Sequence, residues 1–330
     1  MTLDEFKTEL KNLIYTNQNF VITTHENPDG DAIGAQFAIY LFLKRHGKSI
    51  RIINQDLPPN KYDFLGLSDK VETQIPDANN QIVFMLDYNE RKRAGKKIQN
   101  VLNNYQQLVC IDHHTKPEKV PNAIFYIDTN VSSACEIIYL LLKEEIKYFS
   151  SPWKRKFANC LYTGLIYDTN NFANKNVSHQ TFTVASELLA IGADNNLCSL
   201  NIFENRSTDE LKLLGNTLST LKFHKTGRNV SIAFYITTQK MLKGCNADME
   251  LTDGFSKEVK PSNGRDVVIY FRELNTDNYR VSLRSKDLNV QKIAEKFGGG
   301  GHKLAAGFET KIELEMLKNK LFELINHEGK

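Results

Sequence analysis

Short apolar runs alternate with longer amphipathic stretches through the first 190 residues, and most of these runs stop abruptly at a polar or ionisable residue. The runs at 20–24, 49–53, 81–86, 107–111 and 123–126 are too short for helices and rich in Val, Ile and Phe, which predicts strands. Stretches at 31–45, 132–144, 153–167 and 179–191 read as helices, with Gly47 and Gly192 just past two of their ends. Strand and helix in alternation is the signature of βαβ units and a parallel sheet. Residues 209–222 read as a helical connector. Beyond about residue 230 the rhythm changes. Segments 230–236, 266–273 and 279–284 read as strands, 290–297 as a helix that runs into a polyglycine stretch, and 311–326 as a closing helix. The expected fold class is α/β: an N-terminal parallel-sheet domain with helices on both faces (1–190), a helical linker (191–225) and a smaller α+β domain (226–330).

Composition changes this picture little. A chain of 330 residues is long for one core, so two domains are the default. The longest apolar run, 37–43, is far too short to span a bilayer, and Met1-Thr2-Leu3-Asp4-Glu5 lacks the basic and apolar regions of a secretory signal. Five cysteines, an odd number with no C-x-x-C pair, suit a reduced cytoplasmic setting with no membrane association. A net charge of +3 is too small to advertise a long nucleic-acid footprint. Two basic clusters stand out: Arg91, Lys92, Arg93, Lys96 and Lys97, then Lys154, Arg155 and Lys156. Each reads first as a solvated helix face, though the former follows Asp87 directly and so could face an anion.

Candidate chemistry lies at four stations, each at the end of an apolar run. They are His25-Glu26-Asn27-Pro28-Asp29-Gly30-Asp31, Asp87, Asp112-His113-His114 and Asp168. In open α/β sheets ligands sit beyond the carboxyl ends of the strands, where such side chains would converge. Carboxylates with neutral imidazoles suit hard or borderline divalent cations, Mn²⁺ first and Mg²⁺ second. Asn-Pro-Asp-Gly is also a good turn, and Asp29 or Asp31 could serve only to cap the next helix. In an extended strand exit His113 and His114 would point in opposite directions. None of the Ser or Cys residues sits in a triad-like context, so water is the expected nucleophile. The four glycines 298–301, with His302, could bring backbone N–H groups to an anion or form only a flexible turn.

At these residues the chain resembles the DHH phosphoesterase superfamily. The stretch from His25 to Gly34 matches its first motif, Asp87 the second, Asp112-His113-His114 the eponymous trio, and Asp168 the fourth. Gly298 to His302, followed by Ala305-Ala306-Gly307-Phe308, is similar to the signature of its associated C-terminal domain. Size and both signatures look like the group of bifunctional oligoribonucleases and phosphoadenosine-phosphate phosphatases. The resemblance implies that His25, Asp29 and Asp87 hold one metal and that Asp31, Asp87, His113 and Asp168 hold another. His114 would lie beside the scissile phosphate, with Asp87 and Asp31 as its catalytic companions. Arg93, Arg284, Ser285, Gly299, Gly300, Gly301 and His302 would meet the substrate. Tyr88-Asn89 depart from the small residues that many relatives carry after the second-motif Asp. The implied substrates are short single-stranded RNA or dinucleotides and 3′-phosphoadenosine 5′-phosphate, and a homodimer is left open. The alternatives are a cyclic-di-AMP or linear-dinucleotide phosphodiesterase of the same build, or a non-catalytic nucleotide sensor.

Overall fold

A computed structural model describes residues 1–74, 81–102, 105, 107–114, 123–252 and 254–328, and the chain divides into two compact units, Met1–Asn205 and Arg206–Lys330. The first unit opens with helix α1 (Leu3–Thr16), started by a Thr2/Glu5 capping box and buried along Phe6, Leu10 and Ile14. Strands β1 (Asn19–Thr23), β2 (Ser49–Ile53), β3 (Val71–Glu72), β4 (Ile82–Leu86), β5 (Gln107–Asp112) and β6 (Ala123–Ile127) form one parallel sheet in the order β3-β2-β1-β4-β5-β6. Their side chains alternate between faces. Phe20, Ile22, Phe84, Leu86, Val109 and Ile111 enter a large core with α2 (Gly30–Arg45), α4 (Ala134–Ile146), α5 (Ser151–Asp168) and α6 (His179–Ala190). Val21, Val83, Met85, Leu108 and Cys110 enter a smaller core with Ile98 of the short helix α3 (Lys96–Val101). Helices thus cover both faces, as a buried parallel sheet requires.

Helix α2 is buried almost all round, because it lies against the sheet on one side and against α5 on the other. A short helix, α7 (Asn195–Ser199), packs on α5 and runs into one wide turn (Leu200–Glu204) before the unit ends.

The second unit begins with α8 (Thr208–Leu218) and builds a six-stranded mixed sheet. Its strands are β7 (Lys222–Lys225), β8 (Ser231–Thr237), β9 (Val267–Asn275), β10 (Asn278–Ser285), β11 (Gly300–His302) and β12 (Ala305–Thr310), in the order β11-β12-β10-β9-β8-β7. Only the β8–β9 pair is parallel. Helices α10 (Val290–Glu295) and α11 (Leu314–Glu328) bury Val290, Ile293, Leu317, Leu321 and Ile325 on one face. Helix α8 and α9 (Gln239–Gly244) bury Leu213 and Leu242 on the other.

Two expectations are corrected. The helix expected over 209–222 stops at Leu218, and Lys222 instead begins β7, an antiparallel edge strand on β8. All four β7 side chains are exposed, so no buried face imprints a strand pattern on that segment. The polyglycine stretch is not loop throughout: Gly300, Gly301 and His302 pair with Gly307, Ala306 and Ala305 as an edge strand.

Candidate metal centre

The strand order reverses direction between β1 and β4, and crossovers that leave such a point in opposite senses open a crevice at the strands' carboxyl ends. Three neighbouring strands deliver the predicted residues there. His25 follows β1, Asp87 follows β4, and Asp112, His113 and His114 close β5. Asp168 comes from the side, as the last residue of α5.

Close contact between α2 and α5 sets Asp31 beside Asp168. A Cβ added at Gly34 would fall 2.4 Å from the Cys160 carbonyl. One added at Gly164 would fall 2.3 Å from Cys135 Sγ and 2.7 Å from Asp31 Oδ1. Only glycine allows the helices this approach. The amino end of α4 then grips Asp31: the Ala134 N–H donates to Oδ2 at 2.6 Å and the Cys135 N–H to Oδ1 at 2.9 Å. These are orphan amides of a helix start, and they favour an anion.

The six predicted ligands converge. His25 Nε2 lies 3.5 Å from Asp87 Oδ2 and 4.0 Å from Asp29 Oδ1. Its Nδ1 lies 2.8 Å from the Glu26 carbonyl, an oxygen that can only accept, so Nδ1 carries the hydrogen and Nε2 is turned to the carboxylates. His113 Nε2 lies 3.1 Å from Asp168 Oδ2, 3.4 Å from Asp87 Oδ1 and 3.8 Å from Asp31 Oδ2. Both His113 Nε2 and Asp87 Oδ1 are buried without hydrogen-bond geometry to any group. Among the described residues three sets are each close enough to share an ion: His25, Asp29 and Asp87; Asp31, His113 and Asp168; and Asp87, Asp112, His113 and His114. Asp87 belongs to the first and third and lies against the second. Asp29 also caps α2, with Oδ1 accepting from the Asp31 and Ala32 amides, so capping and clustering are compatible roles.

His113 and His114 do not point apart as an extended exit would require. Asp112 Oδ1 accepts the His113 N–H and pairs with His114 Nδ1, each at 2.8 Å, and this bends the chain. The two rings lie 4.4 Å apart, and His114 Nδ1 is 3.6 Å from Asp87 Oδ1. Asp87 itself has φ +63°, a left-handed conformation rare for a residue other than glycine and concentrated at functional sites. After Asp168, the residues Asn170, Asn171 and Phe172 are also left-handed, and Asn174 Nδ2 returns to donate to the Asp168 carbonyl at 2.8 Å.

Electrostatics describe a centre short of positive charge. Burial opposes a charge on His25, yet Asp87 and Asp29 prevail and lift its pKa from 6.5 to about 9. His113 is likewise driven well up against burial by Asp168 and Asp87. Burial, then the fields of Asp87 and Asp168, raise Asp29 to about 6 and push Asp31 well above the usual carboxylate range. Asp87 alone is held far below that range, because His113 and His25 overcome its burial. Fully ionised, the four carboxylates would carry four negative charges, which two divalent cations would balance. The donor set, the orphaned facing atoms and this charge deficit all fit such a pair.

Residues expected at the substrate are placed less uniformly. Arg93 lies in a single turn (Arg91–Ala94) whose carbonyl at Arg93 accepts the Glu26 N–H at 2.7 Å, beside the His25 loop. In the second unit Arg284 Nε donates to the Ser256 carbonyl, Ser285 Oγ accepts the Leu288 N–H at 2.8 Å, and Gly300, Gly301 and His302 are exposed. Gly299 abuts β12, where an added Cβ would fall 2.2 Å from the Gly307 carbonyl. Tyr88 fills the smaller core and Asn89 donates to the His114 carbonyl at 3.0 Å, so the departure after Asp87 supports the neighbouring strand exit. Arg155 and Lys156 border a cavity with Phe64, Leu65 and Pro152 near the start of α5, the opposite end of that helix from Asp168.

Family models agree with this arrangement. The DHH family N-terminal domain matches residues 19–165 and the DHHA1 domain matches residues 232–327. The chain belongs to the DHH family of phosphoesterases. It is 29% identical to the bifunctional oligoribonuclease and PAP phosphatase NrnA of Thermus thermophilus, over 93% of this chain and 89% of that one. It is 30% identical to the probable bifunctional oligoribonuclease and PAP phosphatase NrnA of Streptococcus mutans, over 92% of each. The crystal structure of an exopolyphosphatase-related protein from Bacteroides fragilis shares the fold with a TM-score of 0.86, at 24% identity over 98% of this chain and 97% of that one.

Proposed function

We propose that this chain is a two-metal phosphoesterase that trims very short oligoribonucleotides to nucleoside 5′-monophosphates and removes the 3′-phosphate of 3′-phosphoadenosine 5′-phosphate. The observation that carries the reading is the position of Asp87 against both ligand sets, His25 with Asp29 and Asp31 with His113 and Asp168. Relatives named for this pair of activities match along nearly the whole chain, which supports the choice of substrates. Mn²⁺ is the proposed ion, with Mg²⁺ second, given a set of four carboxylates and two imidazoles. When bound, such a pair acidifies water and neutralises charge on the phosphoryl oxygens of an in-line displacement.

The chain's own residues do the rest. The α4 amides orient the Asp31 carboxylate. His114, held at Nδ1 by Asp112, is the proposed partner of the scissile phosphate. Its ring would face a non-bridging oxygen while a water oxygen bonds to phosphorus, the P–O bond to the leaving ribose oxygen breaks, and the proton lost by that water passes to the ribose oxygen. All five cysteines are buried and free, which agrees with a water nucleophile and a reducing cytoplasm. Among the described residues no helix is long and apolar enough to cross a membrane. Arg93, Arg284, Ser285, Gly299, Gly300, Gly301 and His302 are the proposed substrate contacts.

The test is one assay of initial rates on labelled di- to pentanucleotides, 3′-phosphoadenosine 5′-phosphate and cyclic di-adenylate, with and without Mn²⁺. Release of mononucleotides and phosphate that needs Mn²⁺ is expected. Preferred turnover of the cyclic substrate would redirect the reading, and turnover without a divalent ion would end it.

A further inference from the structure

The loop bearing His25, Asp29 and Asp31 is held from outside by the segment just after β2, which carries none of the motif chemistry. Asn54 is fully buried there. Its Oδ1 accepts the Thr24 N–H at 3.2 Å, and its Nδ2 donates to Gln36 Oε1 at 2.9 Å. Thr24 precedes His25, and Gln36 lies on α2 beyond Asp31, so one carboxamide ties the loop's entry to the helix at its exit. The amide of Thr24 can only donate, which fixes the orientation of Asn54. Gln36 Nε2 is buried without a hydrogen bond, so this glutamine is kept for its oxygen. Two residues further on, Asp56 Oδ2 accepts the Asn27 N–H at 2.8 Å, and Asn27 has a left-handed φ of +50°.

Asp29 of this loop lies in one cluster with Asp87, and Asp31 lies in another with Asp168, so carboxylates of like charge crowd one another. A loop that carries them splays unless it is anchored elsewhere. We propose that Asn54 and Asp56 are positioning residues for the metal centre: they hold the His25–Asp31 backbone in its ligating shape before any cation binds. This inference rests on the two-metal reading.

The experiment measures Mn²⁺ dissociation constants by titration calorimetry on the full chain, with metal-free melting curves for Asn54→Leu, Asn54→Asp and Asp56→Ala. Asn54→Leu removes both hydrogen bonds at similar volume and is expected to weaken Mn²⁺ binding about tenfold or more, the scale of other outer supports to metal ligands. Asn54→Asp can still accept from Thr24, and Gln36 can turn its amide to donate, so this variant should recover most of the affinity. Asp56→Ala, at a partly exposed position, should weaken binding severalfold with little change in metal-free Tm. A merely structural Asn54 would lower the metal-free Tm and leave the affinity of the folded protein intact. Wild-type affinity in Asp56→Ala and in whichever of the Asn54 variants folds overturns the proposal while leaving the metal centre standing. A wild-type protein that binds no Mn²⁺ overturns both.

Discussion

The first unit gathers six ionisable side chains from four separate stations into one partly buried cluster, whereas the second distributes its candidate binding residues over a strand end, a turn and a sheet edge. Asp31 and Asp87 are almost wholly shielded from water, while Gly300, Gly301 and His302 lie exposed. Burying a carboxylate is costly unless it is paired or bound to metal, so a chain that places acids after buried strands announces a reason for them. An exposed histidine and a few glycines incur no such cost. Chemistry built from desolvated charge is therefore visible in one sequence, and chemistry built from surface and backbone is visible only through resemblance.

The sharpest break of this contrast is removal of the shared acid or its partner. Asp87→Ala or His113→Ala should lower kcat/KM on a dinucleotide by on the order of 10⁴-fold, as loss of a central catalytic group does. Calorimetry should show fewer than two Mn²⁺ bound. Full turnover in either variant would sink the assignment.

Next in size is Gly164→Ala, which acts through packing alone. Its new methyl would meet Cys135 Sγ and Asp31 Oδ1, so the helices must part. Overpacking of this kind costs about 1–3 kcal/mol. The expected result is a lower Tm together with weaker Mn²⁺ binding, since Asp31 moves with α2. An unchanged Mn²⁺ affinity would show that the α2–α5 contact does not set the ligand geometry.

Acidity gives a third handle on the same cluster. His25 rises from 6.5 to about 9 and Asp29 from 3.8 to about 6 in the metal-free fold. Both groups bind protons more tightly folded than unfolded, so their contribution to metal-free stability is fullest below pH 4, where Asp87, shifted the other way, begins to lose its own. It falls between pH 4 and 6 through Asp29, then between pH 6.5 and 9 through His25. Saturating Mn²⁺ replaces those protons, and should flatten the profile and release protons into the buffer. A metal-free Tm that rises from pH 6.5 to 9 would contradict the charge deficit.

How much was legible follows the same division. The strands at 20–24, 49–53, 81–86, 107–111 and 123–126 are found to within a residue or two, because each is a short, largely apolar run between polar stops, whereas the two-residue β3 is too short to leave a pattern. The six clustered side chains are singled out because their charges end those runs. Their supports are not: the α4 amides on Asp31, the glycine contact at Gly164 and the Asn54 carboxamide consist of ordinary residues whose partners are remote in sequence. Asp112 shows the limit well. Its motif is plain, but its role in bending the chain so that both histidines approach Asp87 depends on hydrogen bonds that no spacing reveals. Helix α1 does carry a readable signal, a capping box and a Phe6-Leu10-Ile14 stripe, which a reading centred on strand ends passes over.

The smallest effects should come from the second unit, where the contrast can be sharpened between two proposed substrate contacts. His302→Ala removes an exposed side chain and is expected to raise KM for the dinucleotide about tenfold, with kcat and Mn²⁺ affinity unchanged. Ser285→Ala is the informative companion. The Ser285 hydroxyl oxygen accepts the Leu288 amide in a part-buried turn that leads into α10, so its loss leaves that N–H unpaired at a cost of about 1 kcal/mol. If the hydroxyl also donates to a phosphate, KM rises alongside the fall in Tm. If the turn is its whole role, Tm falls and KM stays within twofold of wild type. Measuring both variants on the same substrate separates a residue that grips the nucleotide from one that only shapes the surface.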